Sequence, residues 1–153
     1  MREEVTALLE NRNELLTITY FKIQELFDKK YGENALVLME IGTFFEVYEV
    51  NNEKEKIGKA KEIAELLNIQ LTRKNKSILE NSKENPIMAG VPAISFEKHL
   101  ARIIAEQKYT IAIIRQKGTP PNVSRYLDVV VSPGTNFDFV VEQDDNFITS
   151  IVI

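Results

Sequence analysis

The stretch Ala35–Val50 reads ALVLMEIGTFFEVYEV. Its first seven residues, Ala35–Ile41, form an apolar run of strand length, suited to a strand with both faces mostly covered. Gly42 breaks the run, and Phe44–Val50 resumes as a second strand. Side chains alternate along a strand, so Phe44, Glu46 and Tyr48 share one face while Phe45, Val47 and Glu49 share the other. Phe45 and Val47 suit a core. Phe44 and Glu46 are then expected to project outward as a pair, about 6–7 Å apart along the strand. The plainer alternative packs Phe44 under the N-terminal helix and leaves Glu46 solvated. Gly42 and Thr43 mark the strand's start, which places Phe44 near an edge.

Outward from this stretch, helical and strand patterns alternate. Residues 1–14 are charged and weakly patterned, a helical or frayed leader. Tyr20, Ile23, Leu26, Phe27 and Tyr31 follow helical spacing over Thr19–Tyr31, with Gly32 as a stop. Lys56–Leu67 returns to helical spacing, Ile69–Arg73 reads as a brief strand, and Lys74–Asn85 as a polar loop. Pro86–Val91 is a strand ending at Pro92. Ser95 is placed to cap a helix with Phe96, Leu100, Ile103 and Ile104 as its stripe. Tyr109–Arg115 and Tyr126–Val131 are β-rich, and Ser132-Pro133-Gly134-Thr135 is a turn. Asn146–Ile153 is a further strand signal. The class is α/β (α+β): one mixed central sheet of about six strands, covered by about three helices.

Composition narrows the chemistry. The 153 residues suffice for one domain with a sizeable core, and the absence of cysteine excludes disulfides, thiolate zinc sites and a cysteine nucleophile. No apolar run approaches the ~18 residues of a membrane span, and no signal peptide is present, so the chain reads as cytoplasmic. Net charge is −4, and Asp138, Glu142, Asp144 and Asp145 account for it. By contrast Lys54, Lys56, Lys59, Lys61, Arg73, Lys74 and Lys76 face only Glu55, Glu62 and Glu65 between Lys54 and Lys76, a local field able to meet phosphates. A solvated helix face followed by a basic loop is the ordinary reading of the same residues.

Catalytic signatures are sparse. His99 is the one histidine, in the polar end of a helix pattern, and no GxxxxGK[ST] or GxGxxG is present. Glu40, Glu46 and Glu49 come from neighbouring strands and could in principle hold Mg²⁺, as nuclease carboxylates do, but no accompanying basic spacing stands out.

Four blocks together resemble the N-terminal mismatch-recognition domain of the MutS family of DNA mismatch repair proteins. Ile41–Val47 (IGTFFEV) is similar to the family's Gly-Asp-Phe-Tyr-Glu block, and Leu66–Lys74 (LLNIQLTRK) to its Leu-Asp-Ile-x-Leu-Thr segment. Pro86–Pro92 (PIMAGVP) is similar to Pro-Met-x-Gly-[IV]-Pro, and Val131–Thr135 (VSPGT) to Val-Thr-Pro-Gly-Thr. The resemblance covers about Thr17–Thr135 and divides the chain into a leader (1–16), a recognition domain (17–136), and a linker with the first strand of a connector domain (137–153).

The resemblance implies a fold like MutS domain I and a non-catalytic DNA-recognition role. Phe44 would stack on a mispaired base from the minor groove and Glu46 would hydrogen-bond it. Arg73, Lys74 and Lys76 would track phosphates, and Met88 would lie close to the DNA, although it suits a core equally well. It also implies a partner, double-stranded DNA with mispairs or small loops. No cofactor is implied for this stretch; ATP and Mg²⁺ would belong to a longer, homodimeric ATPase, cytoplasmic and associated with a bacterial nucleoid. A protein-interaction module that docks through Phe44 is the alternative, with a Mg²⁺-dependent nuclease third. Thr43 in place of Asp, Phe45 in place of Tyr, Ala93-Ile94-Ser95 in place of a Tyr-His-like pair, and Val129 in place of Arg mark a divergent branch.

Overall fold

In the computed structural model, which describes residues 1–133 and the backbone of 139–140, the opening stretch is a β-hairpin. Strand β1 spans Ala35–Ile41 and β2 spans Phe44–Asn51, with Ile41 opposite Phe44. A two-residue turn therefore joins them. Gly42 adopts φ +62° while Thr43 keeps negative φ, the pattern of a type II′ turn, whose first central position suits glycine.

The hairpin lies inside the sheet rather than at its margin. Adding β3 (Lys56–Gly58), β4 (Thr72–Arg73), β5 (Ile87–Pro92), β6 (Thr110–Lys117), β7 (Ser124–Val131) and β8 (Phe139–Val140) gives the order β4-β5-β2-β1-β6-β7-β8, with β3 paired to β2. The β1–β6 pair is parallel and the other pairs antiparallel, so the sheet is mixed. The described residues also form four α-helices, α1 (Arg2–Glu10), α2 (Leu16–Tyr31), α3 (Ala60–Leu67) and α4 (Phe96–Ile104). The α+β class with a mixed sheet is as expected. The extra strands are two or three residues long, too short to leave a period in the sequence, and the extra helix is the leader.

Each sheet face carries its own core. Leu36, Leu38, Phe45, Val47, Ala89, Val91, Ile111 and Ile113 pack beneath α3 and α4 through Ala60, Ile63, Phe96, Leu100 and Ile103. Val37, Met39, Tyr48, Val50, Ala112 and Ile114 pack on the other face against Val5 of α1 and Tyr20, Phe21, Ile23 and Phe27 of α2. Arg2 also donates to the backbone carbonyls of Leu127 and Asp128, tying α1 to β7. Burial on both faces explains why ALVLMEI reads as a continuous apolar run.

Three local readings need correction. The helix expected from Lys56 begins at Ala60. Asn52 turns the chain, its Oδ1 accepting the Lys54 and Glu55 N–H groups, so Lys56–Gly58 returns along β2 as β3. Of the brief strand expected at Ile69–Arg73, only Thr72–Arg73 pairs. Ser95 holds the N-cap position of α4, but its hydroxyl donates to the Pro92 carbonyl 3.3 Å away instead of capping the helix. Gly134 and Thr135 of the expected turn, and the connector-like strand Asp145–Ile153, lie outside the described residues.

Candidate nucleic-acid interface

One face of β2 passes from solvent to core in two steps. Phe44 is 43% exposed, Glu46 9%, and Tyr48 fully buried. Phe45, between the first two but on the opposite face, is buried and stacks on Phe96 with ring centroids 3.7 Å apart. The guanidinium of Arg115 lies 5.4 Å from the Phe45 centroid, and its Nε donates to Asp128 Oδ2 at 2.7 Å. The adjacent phenylalanines thus have opposite roles: Phe45 anchors the strand and Phe44 stands free of the core.

The hairpin tip is braced on both sides. Gln116 Oε1 accepts the Gly42 N–H at 3.2 Å while its Nε2 donates to the Gly42 carbonyl at 2.6 Å. Arg125 donates from Nε to the Glu40 carbonyl and from its guanidinium to Gln116 Oε1. On the other flank the Ala93 N–H donates to the Thr43 carbonyl at 2.8 Å. Next to it Ile94 is 98% exposed. Gly90, opposite Glu46, lies close against β2: a Cβ there would meet the Phe45 carbonyl oxygen at 3.3 Å, Glu46 Cγ at 3.5 Å and Phe44 Cδ2 at 3.6 Å.

Glu46 does not project outward with Phe44. Its Oε1 accepts the Tyr48 hydroxyl at 2.6 Å and the Lys74 ammonium at 3.2 Å, and Lys74 Nζ lies 3.1 Å from the Tyr48 oxygen. Burial, reinforced by the negative charge of Glu46, pushes the Tyr48 phenol far above its ordinary pKa, so it remains a proton donor to the carboxylate. Packing of Phe44 under a helix and solvation of Glu46, the plainer alternative, is inverted: the ring is exposed and the acid covered.

The basic residues separate into different environments. Lys59 is half-buried, donates to the Ala35 carbonyl at 2.7 Å, and has its pKa lowered by burial. Arg73 donates to the Lys76 carbonyl at 3.1 Å, and its buried Nε has no acceptor among the described residues. Lys76 is exposed. Met88 pairs with Tyr48 and Thr72 and packs half-buried against the α1/α2 core, well down the strand from the tip. His99, partly buried beside Lys98, has its pKa lowered chiefly by burial.

The three carboxylates considered for Mg²⁺ are engaged separately. Glu40 accepts the Gln116 N–H, Glu46 the Tyr48–Lys74 pair, and Glu49, on the opposite face, the Lys61 N–H at the start of α3. Among the described residues no three His, Cys, Asp or Glu side chains converge as metal ligands, and no helix is long and apolar enough to cross a membrane. Sequence reasoning missed Tyr48, Gln116, Arg125 and Ile94. Tyr48 carried a signal in its place on the Phe44–Glu46 face and Ile94 in its departure from the family block, while Gln116 and Arg125 meet the tip through tertiary contacts.

Fold and tip define an α+β domain that presents one aromatic ring on a braced hairpin beside a covered carboxylate. The family model of MutS domain I matches residues 20–140, and the chain belongs to that family. It is 31% identical over 145 residues to an Acanthamoeba polyphaga mimivirus protein described as a mutS homolog of DNA mismatch repair. It is 29% identical over 135 residues to the DNA mismatch repair protein MutS of Lactococcus lactis subsp. lactis. These alignments cover 94% and 84% of this chain but only 13% and 14% of the two relatives.

Proposed function

We propose that this domain recognises mispaired or unpaired bases in duplex DNA, with Phe44 entering the minor groove as a wedge and Glu46 hydrogen-bonding the displaced base. The observation that carries the reading is the exposure of Phe44 on a hairpin whose neighbouring residue, Phe45, is locked in the core. Parting a base step costs a few kcal/mol, least where pairing is already broken, so the cost itself discriminates. Stacking on an aromatic ring returns about 1–3 kcal/mol for any base. A tip held in place before contact spends little of that gain on ordering the loop. Ile94 extends the apolar tip, while Arg73 and Lys76 meet phosphates without reading sequence.

The domain acts within a longer homodimeric MutS-type protein, where ATP and Mg²⁺ serve the ATPase elsewhere in the chain. In the full-length protein, Phe44→Ala lowers affinity for a duplex with one mispair far more than for matched duplex. Equal losses on both duplexes overturn the wedge. Unchanged DNA binding together with loss of a protein partner favours the second reading, a docking module, which rests on the joint exposure of Phe44 and Ile94. Mg²⁺-dependent cleavage that disappears in Glu46→Ala would replace both with a nuclease.

A further inference from the structure

We infer that Lys74 and Tyr48 are positioning residues for Glu46, occupying Oε1 and holding the carboxylate against the sheet so that Oε2 meets the base. This rests on the mismatch-recognition reading above. The three polar groups close a triangle, with separations of 2.6, 3.2 and 3.1 Å. Both donors to Glu46 engage the same oxygen, and Oε2 has no donor among the described residues.

The triangle has a fixed polarity. The Tyr48 hydroxyl gives its proton to Glu46 and offers its lone pair to the Lys74 ammonium. The Tyr48 ring cannot swing aside, because it is fully buried with its edge against Tyr20, 4.8 Å between centroids. Tyr20 is in turn fixed by its hydroxyl donating to the Val37 carbonyl at 2.6 Å. The Lys74 backbone is held where the β4–β5 ladder ends, its N–H donating to the Pro86 carbonyl at 3.0 Å. Its ammonium also lies 5.4 Å from the Tyr48 ring centroid, a cation–π distance.

The charge logic agrees. A bare carboxylate at a DNA surface is repelled by phosphates, whereas one paired with an ammonium within hydrogen-bond distance presents a small net field. Lys74 thereby lets Glu46 approach the duplex while keeping one acceptor directed at a base. This role differs from that of a phosphate-tracking lysine, and the two have separable signatures. A lost phosphate contact weakens binding to all duplexes alike and lowers the slope of log affinity against log salt by about 0.9. A lost positioning contact lowers the ratio of mispaired to matched affinity, beyond any common loss that the uncovered Glu46 charge adds on both duplexes.

The test measures, in the full-length protein, binding to a duplex with one mispair and to its matched counterpart over a range of salt. The variants are Lys74→Met, Lys74→Arg, Tyr48→Phe, Glu46→Ala and the double Glu46→Ala/Lys74→Met. Lys74→Met and Tyr48→Phe are each expected to lower the affinity ratio about fivefold, as coupled neighbours do. Lys74→Arg should restore most of it, and the double variant should match Glu46→Ala alone. An equal loss on both duplexes with a shallower salt slope, or additive losses in the double variant, overturns the inference while leaving mismatch recognition standing. An unchanged ratio in Glu46→Ala overturns the assigned role of Glu46 and this inference with it. Should Tyr48→Phe fail to fold, the half-exposed Lys74 carries the test.

Discussion

Phe45 lies face to face with Phe96, their planes 15° from parallel, while the neighbouring Phe44 stands 43% exposed on the other side of the strand. Phe45→Ala should therefore destabilise the domain by about 3–5 kcal/mol, since a ring leaves a packed site beneath α4. Phe44→Ala should shift stability by less than about 1 kcal/mol. Urea unfolding followed by circular dichroism measures both, and similar losses in the two variants would contradict the assignment.

Gln116 holds the hairpin turn through both backbone groups of Gly42 and is itself held by Arg125. These bonds lie at a partly exposed rim, so Gln116→Ala should cost no more than about 1.5 kcal/mol of stability. Its larger effect falls on order at the tip. If Phe44 is the wedge, discrimination for a mispair should fall about three- to tenfold as the loop must be ordered on binding. Binding titrations of mispaired and matched duplex with this variant check the expectation.

Period-two alternation was enough to separate Phe45 from Phe44, because both faces of β2 follow from local backbone geometry. It could not place Glu46. The groups that cover this carboxylate are Tyr48, two residues on, and Lys74, which arrives through the β4–β5 ladder from 28 residues away. No local pattern contains that contact. The same limit explains Lys59, whose place in a basic run suggested a solvated face although its ammonium turns inward to a β1 carbonyl. Helical spacing at Ala60, Ile63, Ala64 and Leu67 was legible, but its start was not, since Lys56–Gly58 pairs with a strand and Gly58 adopts φ +93°. Family motifs located the tip, while the Gln116 and Arg125 braces come from β6 and the start of β7, which those motifs do not reach.

Two buried phenols make the fold sensitive to alkali. Burial raises the Tyr20 and Tyr48 pKa values well above the ordinary 10.0. The unfolded chain releases these protons near pH 10 while the folded chain keeps them, so their contribution is complete below pH 10 and is lost as pH rises beyond it. Each tyrosine adds a slope of about −1.4 kcal/mol per pH unit there. Lys59 opposes them, because its lowered pKa makes the unfolded chain the better proton binder between its folded value and 10.5. Tyr109 and Tyr126 are raised in the same direction, so the phenols outweigh the one amine; the urea midpoint should fall between pH 10 and 11, and Tyr48→Phe should flatten the fall. A midpoint that rises over this window would refute the assignment.

Asn85 fastens the loop between β4 and β5. Its side chain is buried, accepts the Asn75 N–H at 2.7 Å, and donates to the carbonyls of Ile78 and Glu80 at 3.1 and 3.0 Å. Its backbone N–H reaches the Ser82 carbonyl at 3.0 Å, closing the loop's far end. Asn85→Ala removes the side-chain bonds together and leaves a backbone donor without a partner, a loss of about 1–3 kcal/mol. The strain falls on the loop first, because neither sheet core includes it. Lys76 is already exposed, so brief trypsin digestion should cut after it several times faster in Asn85→Ala than in the parent. Mass spectrometry of the fragments reads the site directly. Cleavage at unchanged rate, with the loss of stability spread over the whole domain, would show that the loop is held by other contacts.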